Sequence, residues 1–268
     1  MLLFLIWPFH CLYLTLRKSI LLTLINNLFP FGKKFIDSLG KTAVKFRDFM
    51  FGDMLTSLTR PFQNLYFTVC YSFCSNCVLE SDYSSSCTRT DITPLILTLV
   101  PYFIRLFQCI NRFYYTGNGW PHMANAFKYL SGLTNSFLLW DIDSLNNNNI
   151  VISFGIICSI YMIYWDIVMD WGLGHFKSKN FFLRDKLMYP KRFYYWTLVS
   201  NFVLRFTWLI NIYIRTSTLF AYQMKFFIWS FLEIFRRIQW SLFRVENENQ
   251  NNFEKYRAIL DIPELPSH

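Results

Sequence analysis

The chain has 268 residues, 53% hydrophobic and 21% aromatic, with only 16% charged, against about 25% charged in an ordinary soluble domain. Its apolar runs approach the roughly 20 residues that cross a bilayer, and the short alternating strands of a membrane barrel are missing. The net charge of +9 sits in blocks between apolar runs, the pattern of cytosolic loops facing anionic lipid rather than of a nucleic-acid surface.

Residues 1–16 are apolar and short for a span, with Pro8 inside and no basic residue before Arg17. They read as a partial membrane helix rather than a signal peptide. Seven Lys or Arg lie between Arg17 and Arg47 around an apolar patch, Ile20 to Phe31, so residues 1–45 are a partial membrane helix followed by a basic amphipathic cytosolic segment. A helix is expected from about Asp48 to Cys74, with Asp53, Thr56, Ser57 and Arg60 at i, i+3, i+4 and i+7 on one face. The loop from Ser75 to Thr93 is rich in Ser, Cys and acid, so the positive-inside rule puts it on the external or lumenal side.

Spans are then expected over Pro94–Phe113, Pro121–Trp140, which carries His122, Asn125, Lys128 and Tyr129, and Ile150–Trp171, which closes on Asp166 and Asp170. A loop with six cations, Lys177 to Arg192, is cytosolic by the same rule. Phe193–Ile214 carries Asn201, Arg205 and Trp208 on one face. The last helix, Thr216–Phe243, places Glu233, Arg236, Arg237, Trp240 and Arg244 on one face and Met224, Phe231, Phe235, Ile238 and Leu242 on the other. From Arg244 the polar tail reads as an irregular cytosolic segment ending in Ile262-Pro263-Glu264-Leu265-Pro266. The fold class is all-α, a polytopic transmembrane helical bundle.

Of the seven cysteines, Cys11, Cys109 and Cys158 fall in spans, where a free thiol behaves as a small apolar group. Cys70, Cys74, Cys77 and Cys87 cluster at the external loop. A disulfide from Cys87 to Cys77 or Cys74 is the expected bridge in an oxidising lumen. Cys74-Ser-Asn-Cys77 has no second pair at zinc-ligand spacing, so no metal site is read here.

Asp53, Lys128, Asp166, Arg205, Glu233, Arg236 and Arg237 are expected inside the bilayer. Each central charge costs about 2.5–3.5 kcal/mol on insertion scales, whereas a Leu, Ile or Phe returns about 0.3–0.6. Pairing for stability alone is the plain alternative, but buried ion pairs stabilise poorly, and snorkelling relieves only Arg237, Asp170 and Arg244 near the cytosolic face. The functional reading is an anion pathway: the guanidinium fork matches a tetrahedral oxyanion, lysine adds a point charge, and carboxylates hold the cations in place. Trp208 and Trp240 could line it. A P-loop, HExxH and GxSxG are absent, and His10, His122, His175 and His268 are scattered, so neither ATP coupling, a cofactor nor catalysis is expected.

Seven blocks carry a resemblance: Gly52-Asp53-Met54-Leu55-Thr56-Ser57-Leu58, Phe107-Gln108-Cys109-Ile110-Asn111-Arg112-Phe113-Tyr114, Asn125-Ala126-Phe127-Lys128-Tyr129, Trp165-Asp166-Ile167-Val168-Met169-Asp170-Trp171-Gly172, Leu204-Arg205-Phe206-Thr207-Trp208, Glu233-Ile234-Phe235-Arg236-Arg237 and Arg244-Val245-Glu246-Asn247-Glu248. In this order they resemble the EXS domain of the xenotropic and polytropic retrovirus receptor and plant phosphate exporter family. The resemblance implies an EXS transmembrane domain of six spans over 46–262, with 263–268 ending the cytosolic tail. It further implies a multi-pass channel or exporter of inorganic phosphate, not an enzyme. Its pathway residues would be Asp53, Thr56, Lys128, Tyr129, Asp166, Arg205, Trp208, Glu233, Arg236 and Arg237.

The sequence departs from the pattern at Met54, where Gln is usual, at Phe127, where Gly is usual, and at Asn249, where His is common. None of the three removes a charge. A chain opening this close to the spans is expected to lack the family's SPX domain, and with it inositol-phosphate sensing in cis. It is similar either to a truncated form or to short EXS-only members of the Golgi membrane. The expected partners are inorganic phosphate and the lipid bilayer, with a homodimer left open and no nucleic acid. The Golgi or another endomembrane is favoured, with the plasma membrane as the other location. The alternative function is a non-transporting Golgi protein that retains or sorts resident proteins.

Overall fold

The computed structural model describes residues 46–73, 92–140, 148–213 and 219–259, together with Lys18. Helices dominate the described residues: α1 (Phe46–Ser57), α2 (Thr59–Phe73), α3 (Thr93–Thr116), α4 (Gly119–Trp140), α5 (Asn148–Tyr164) continuing as a π-helical turn (Trp165–Asp170), α6 (Lys191–Arg205), α7 (Thr207–Tyr213) and α8 (Leu219–Ile259). The chain divides into two compact units, 1–158 and 159–268, at a point within α5.

In the first unit the single helix expected over 48–74 is broken at Leu58. Pro61 is the cause, since its ring would clash with the carbonyl four residues back and it has no N–H to bond there. Helix α3 packs against α1, α2 and α4. Gln63 Nε2 donates to the Pro94 carbonyl (3.1 Å) and to Thr98 Oγ1 (2.5 Å), fastening α2 to the first turn of α3. Gly117, at φ +69°, ends α3 in the left-handed conformation, and its N–H returns to the Phe113 carbonyl at 2.9 Å. Cys109, Ala126 and Tyr129 form a buried contact where α3 meets α4.

In the second unit, helix α5 widens into the π turn where Trp171 N–H bonds the Asp166 carbonyl, five residues back, at 3.0 Å. The span expected over 193–214 is also broken, at Phe206, and there the Thr207 hydroxyl takes up the Leu204 carbonyl (2.8 Å). Helix α6 buries Tyr194, Thr197 and Asn201 on one face and exposes Val199, Phe202 and Val203.

Helix α8 has 41 residues, about 60 Å at 1.5 Å per residue, twice the roughly 30 Å hydrocarbon core. It therefore continues well past Phe243, and the irregular tail expected from Arg244 is helical to Ile259, with Glu246 and Asn247 buried. The expected faces of α8 hold: Met224, Phe231, Phe235, Ile238 and Leu242 are all exposed, while Arg236 and Trp240 are buried.

Two described helical stretches are long and apolar enough to cross a membrane, Thr93–Tyr114 and Asn149–Asp170. The expected bridge among Cys74, Cys77 and Cys87 lies outside the described residues, as do 1–17, 19–45 and 260–268. Cys70, which the expected pairing omitted, is disulfide-bonded.

Candidate functional site

The expected site residues fall into two sets, one in each unit. In the first, α1 presents Asp53, and Gly52 beside it admits a close approach of α3. A Cβ at Gly52 would stand 2.6 Å from Arg105 Cδ and 3.0 Å from Gln108 Oε1. The approach brings Arg105, at the centre of α3, onto Asp53: Nε donates to Oδ1 at 2.8 Å. Tyr129 of α4 completes the triangle. Its hydroxyl donates to the same carboxylate oxygen at 2.5 Å and accepts from Arg105 Nε and Nη2 at 3.0 and 2.8 Å.

Arg105 Nη1 further donates to Gln108 Oε1 (2.5 Å), and Gln108 Nε2 to the Asp48 carbonyl (3.3 Å). The guanidinium also lies over the rings of Phe49 and Tyr129, 5.0 and 4.7 Å from their centroids. Lys128 is buried with its ammonium 4.7 Å from the Tyr129 ring centre. Thr56, also buried, turns its hydroxyl to the Asp53 carbonyl of its own helix at 2.7 Å.

Sequence reasoning missed Arg105. The signal was a lone arginine in the middle of an otherwise apolar run, expensive in a bilayer without a partner. Read by length alone, the run counts as a span and the charge inside it goes unweighed.

The second set is built on the π turn, α6, α7 and α8. Asp166 is almost fully buried, and its Oδ2 meets three side chains: Arg205 Nη2 at 2.5 Å, Asn201 Nδ2 at 3.4 Å and Arg236 Nη1 at 3.7 Å. Glu233, one turn before Arg236 on α8, clamps it from the other side, with Nε–Oε2 at 2.9 Å and Nη2–Oε1 at 2.5 Å. Arg236 Nη1 also reaches Asn201 Oδ1 at 3.5 Å. Two arginines from different helices thus share one carboxylate oxygen. The Arg205 Nε is buried and donates to no partner among the described residues. An orphaned buried donor is costly unless something polar meets it.

Arg237 lies near enough to Glu233 for their charges to interact, but its side chain makes a different contact. Its guanidinium stacks 4.6 Å from the Trp240 ring centre, and the Trp240 indole donates to Asp170 Oδ2 at 3.2 Å. Trp208, beyond the break at Phe206, donates its indole N–H to the buried Ser159 hydroxyl at 3.0 Å. Among the described residues no cluster of His, Cys, Asp and Glu is placed to hold a metal ion.

Below this set the expected cation-rich loop is folded onto α8. Glu246 Oε1 accepts from Tyr194 OH (2.5 Å) and Met188 N–H (3.2 Å) and pairs with Arg184 Nη2 (3.3 Å). Arg184 Nη1 donates to Asn247 Oδ1 at 3.1 Å. Gly172 sits at φ +59° with no room for a Cβ, which would come 2.6 Å from that Asn247 oxygen. Phe243 seals the contact against Trp171, Phe193 and Tyr194, at centroid distances of 5.4, 5.4 and 4.9 Å.

Residues 1–250 match the family described as "EXS family". Phosphate transporter PHO1 of Arabidopsis thaliana is 34% identical over 223 residues, 81% of this chain and 28% of that protein. The xenotropic and polytropic retrovirus receptor 1 homolog of Xenopus laevis is 33% identical, over 99% of this chain and 40% of that protein. Human solute carrier family 53 member 1 is 32% identical, over 83% of this chain and 35% of that protein. The chain therefore spans well under half the length of each of these relatives.

Proposed function

The chain belongs to the EXS family, and from that premise we propose that it lets inorganic phosphate pass a membrane passively, using the buried arginines of its second unit. The observation that carries the reading is the Arg205–Asp166–Arg236 arrangement with the orphaned Arg205 Nε. Two guanidinium groups meet at one point and one of them keeps a buried donor in hand, which suits a tetrahedral oxyanion. The relative named as a phosphate transporter supports the choice of oxyanion. Asp166 and Glu233 hold the cations in place, so the site need not reorganise as an anion arrives. Arg237 on Trp240 and the Trp208 indole are read as contributors to the same passage.

In the first unit, Asp53, Thr56, Lys128 and Tyr129, together with Arg105, are read as a second polar cluster serving the same activity. Six crossings over 46–262 complete the reading, with two of the helical stretches meeting the length and hydropathy of a span. An endomembrane location, the Golgi foremost, is the expected compartment.

The test is radiolabelled phosphate efflux from proteoliposomes holding the full chain or Arg205→Gln or Arg237→Gln at matched protein content. Loss of flux in both variants is expected. Undiminished flux in both would overturn the assignment of these arginines to the passage, and absence of flux in the wild type would leave a non-transporting protein that retains or sorts Golgi residents.

A further inference from the structure

We propose that Asp166 makes the site selective for oxyanions that carry a proton, phosphate and arsenate, over sulfate, which has none at neutral pH. The inference rests on the phosphate reading above and concerns how the same site chooses its anion.

The geometry supplies the reason. Arg205 Nη2 and Arg236 Nη1 lie 2.5 and 3.7 Å from one oxygen of Asp166. An anion that engages Arg205 from the side of its buried Nε, or spans the two guanidinium groups, is therefore brought against a carboxylate. An ionised carboxylate only accepts hydrogen bonds. A phosphate oxygen that bears hydrogen can donate to it, and the contact becomes a charge-assisted hydrogen bond. A sulfate oxygen in the same place sets lone pair against lone pair, with two like charges in a poorly hydrated setting.

The proton stays on the phosphate throughout, and no bond is made or broken. Glu233 reinforces the effect, because its two oxygens occupy Arg236 Nε and Nη2 and add a second negative charge beside the same guanidinium. Asn201 does not undo it, since its amide is turned to the side chains already present: Nδ2 faces Asp166 and Oδ1 faces Arg236. A site designed around cations alone would prefer the more highly charged anion. Here the carboxylate reverses that order.

Proteoliposomes holding the full chain are loaded in parallel with radiolabelled phosphate, arsenate or sulfate. The wild type should release phosphate and arsenate well ahead of sulfate. Asp166→Asn keeps the shape but offers the anion an amide donor, so its phosphate-to-sulfate ratio should fall at least about tenfold, with the phosphate-to-arsenate ratio unchanged. A wild type that passes sulfate as readily as phosphate overturns the proposal, as does an Asp166→Asn ratio equal to the wild type's.

A second measurement needs no variant. In detergent, phosphate and arsenate should raise the unfolding temperature of the wild type and sulfate at equal ionic strength should not; equal shifts from all three refute the selectivity. Absence of any phosphate flux in the wild type is a different result. It would remove the transport reading itself, while stabilisation by phosphate over sulfate that is lost in Asp166→Asn would still uphold Asp166 as the discriminating group.

Discussion

Arg236 offers the sharpest separation of structural from functional charge. Its side chain is 1% exposed and its donors are shared among Glu233, Asn201 and Asp166. Replacing it with Met leaves Glu233 without its clamp partner and Asp166 with one guanidinium fewer. Removing one member of a buried pair costs about 3–5 kcal/mol. Glu233 is a third exposed and can recover some hydration, so the lower end, about 3 kcal/mol, applies. For a chain of this size that is roughly 6–12 °C in unfolding temperature.

Arg236→Met with Glu233→Leu removes both charges and should recover most of the loss, because apolar groups of similar volume replace a buried pair with little penalty. Arg237→Gln forfeits its stacking on Trp240, about 0.5–2 kcal/mol, and should melt closer to the wild type than Arg236→Met does. Thermal unfolding of the purified variants in one detergent, read beside phosphate efflux, tests the scheme. If Arg236→Met melts within about 2 °C of the wild type, or if the double variant is no more stable than the single, the reasoning fails. The double variant is also expected to carry no phosphate, which dissociates folding from flux.

Three further outcomes follow from the packing and the charge pattern. Gly52→Ala drives a methyl into Arg105 Cδ and should cost about 1–3 kcal/mol, seen as a lower unfolding temperature; an unchanged one would deny that α1 and α3 meet this closely. Glu246→Gln should loosen the loop around Arg184, at about 1–3 kcal/mol for the guanidinium left short of a partner, and trypsin should cut faster at Lys177 and Lys179; an unchanged cutting rate would deny the contact. The loop 74–93 should be lumenal and the segment 177–192 cytosolic; single-cysteine labelling with an impermeant reagent on sealed and opened vesicles reads the sides, and the reverse pattern refutes the orientation.

Much of α8 was legible in the sequence because helical periodicity alone decides which residues share a face. The row Glu233, Arg236, Arg237, Trp240 and Arg244 opposite Met224, Phe231, Phe235, Ile238 and Leu242 follows from 3.6 residues per turn, and the exposure of the second set agrees. The all-helical class followed from composition in the same way. Periodicity assumes an unbroken helix, however, and that is where expectation and structure part. The break at Leu58 was readable from Pro61, but nothing local in Leu204-Arg205-Phe206-Thr207-Trp208 announces the break at Phe206, or the π turn that aims Asp166 at Arg205. These are choices made by packing.

Tertiary structure alone decided the partnerships. A sequence lists Arg236 and Arg237 as equals, whereas their neighbours bury one between two carboxylates and lay the other on an indole. Arg105 joins Asp53 across 52 residues of sequence, and Glu246, which by sequence belongs to a polar tail, is buried because Tyr194 and Arg184 come to meet it. The physical reason is common to all three. A charge's cost and its use depend on which donors and acceptors surround it once water is gone, and those come from segments far away in the chain.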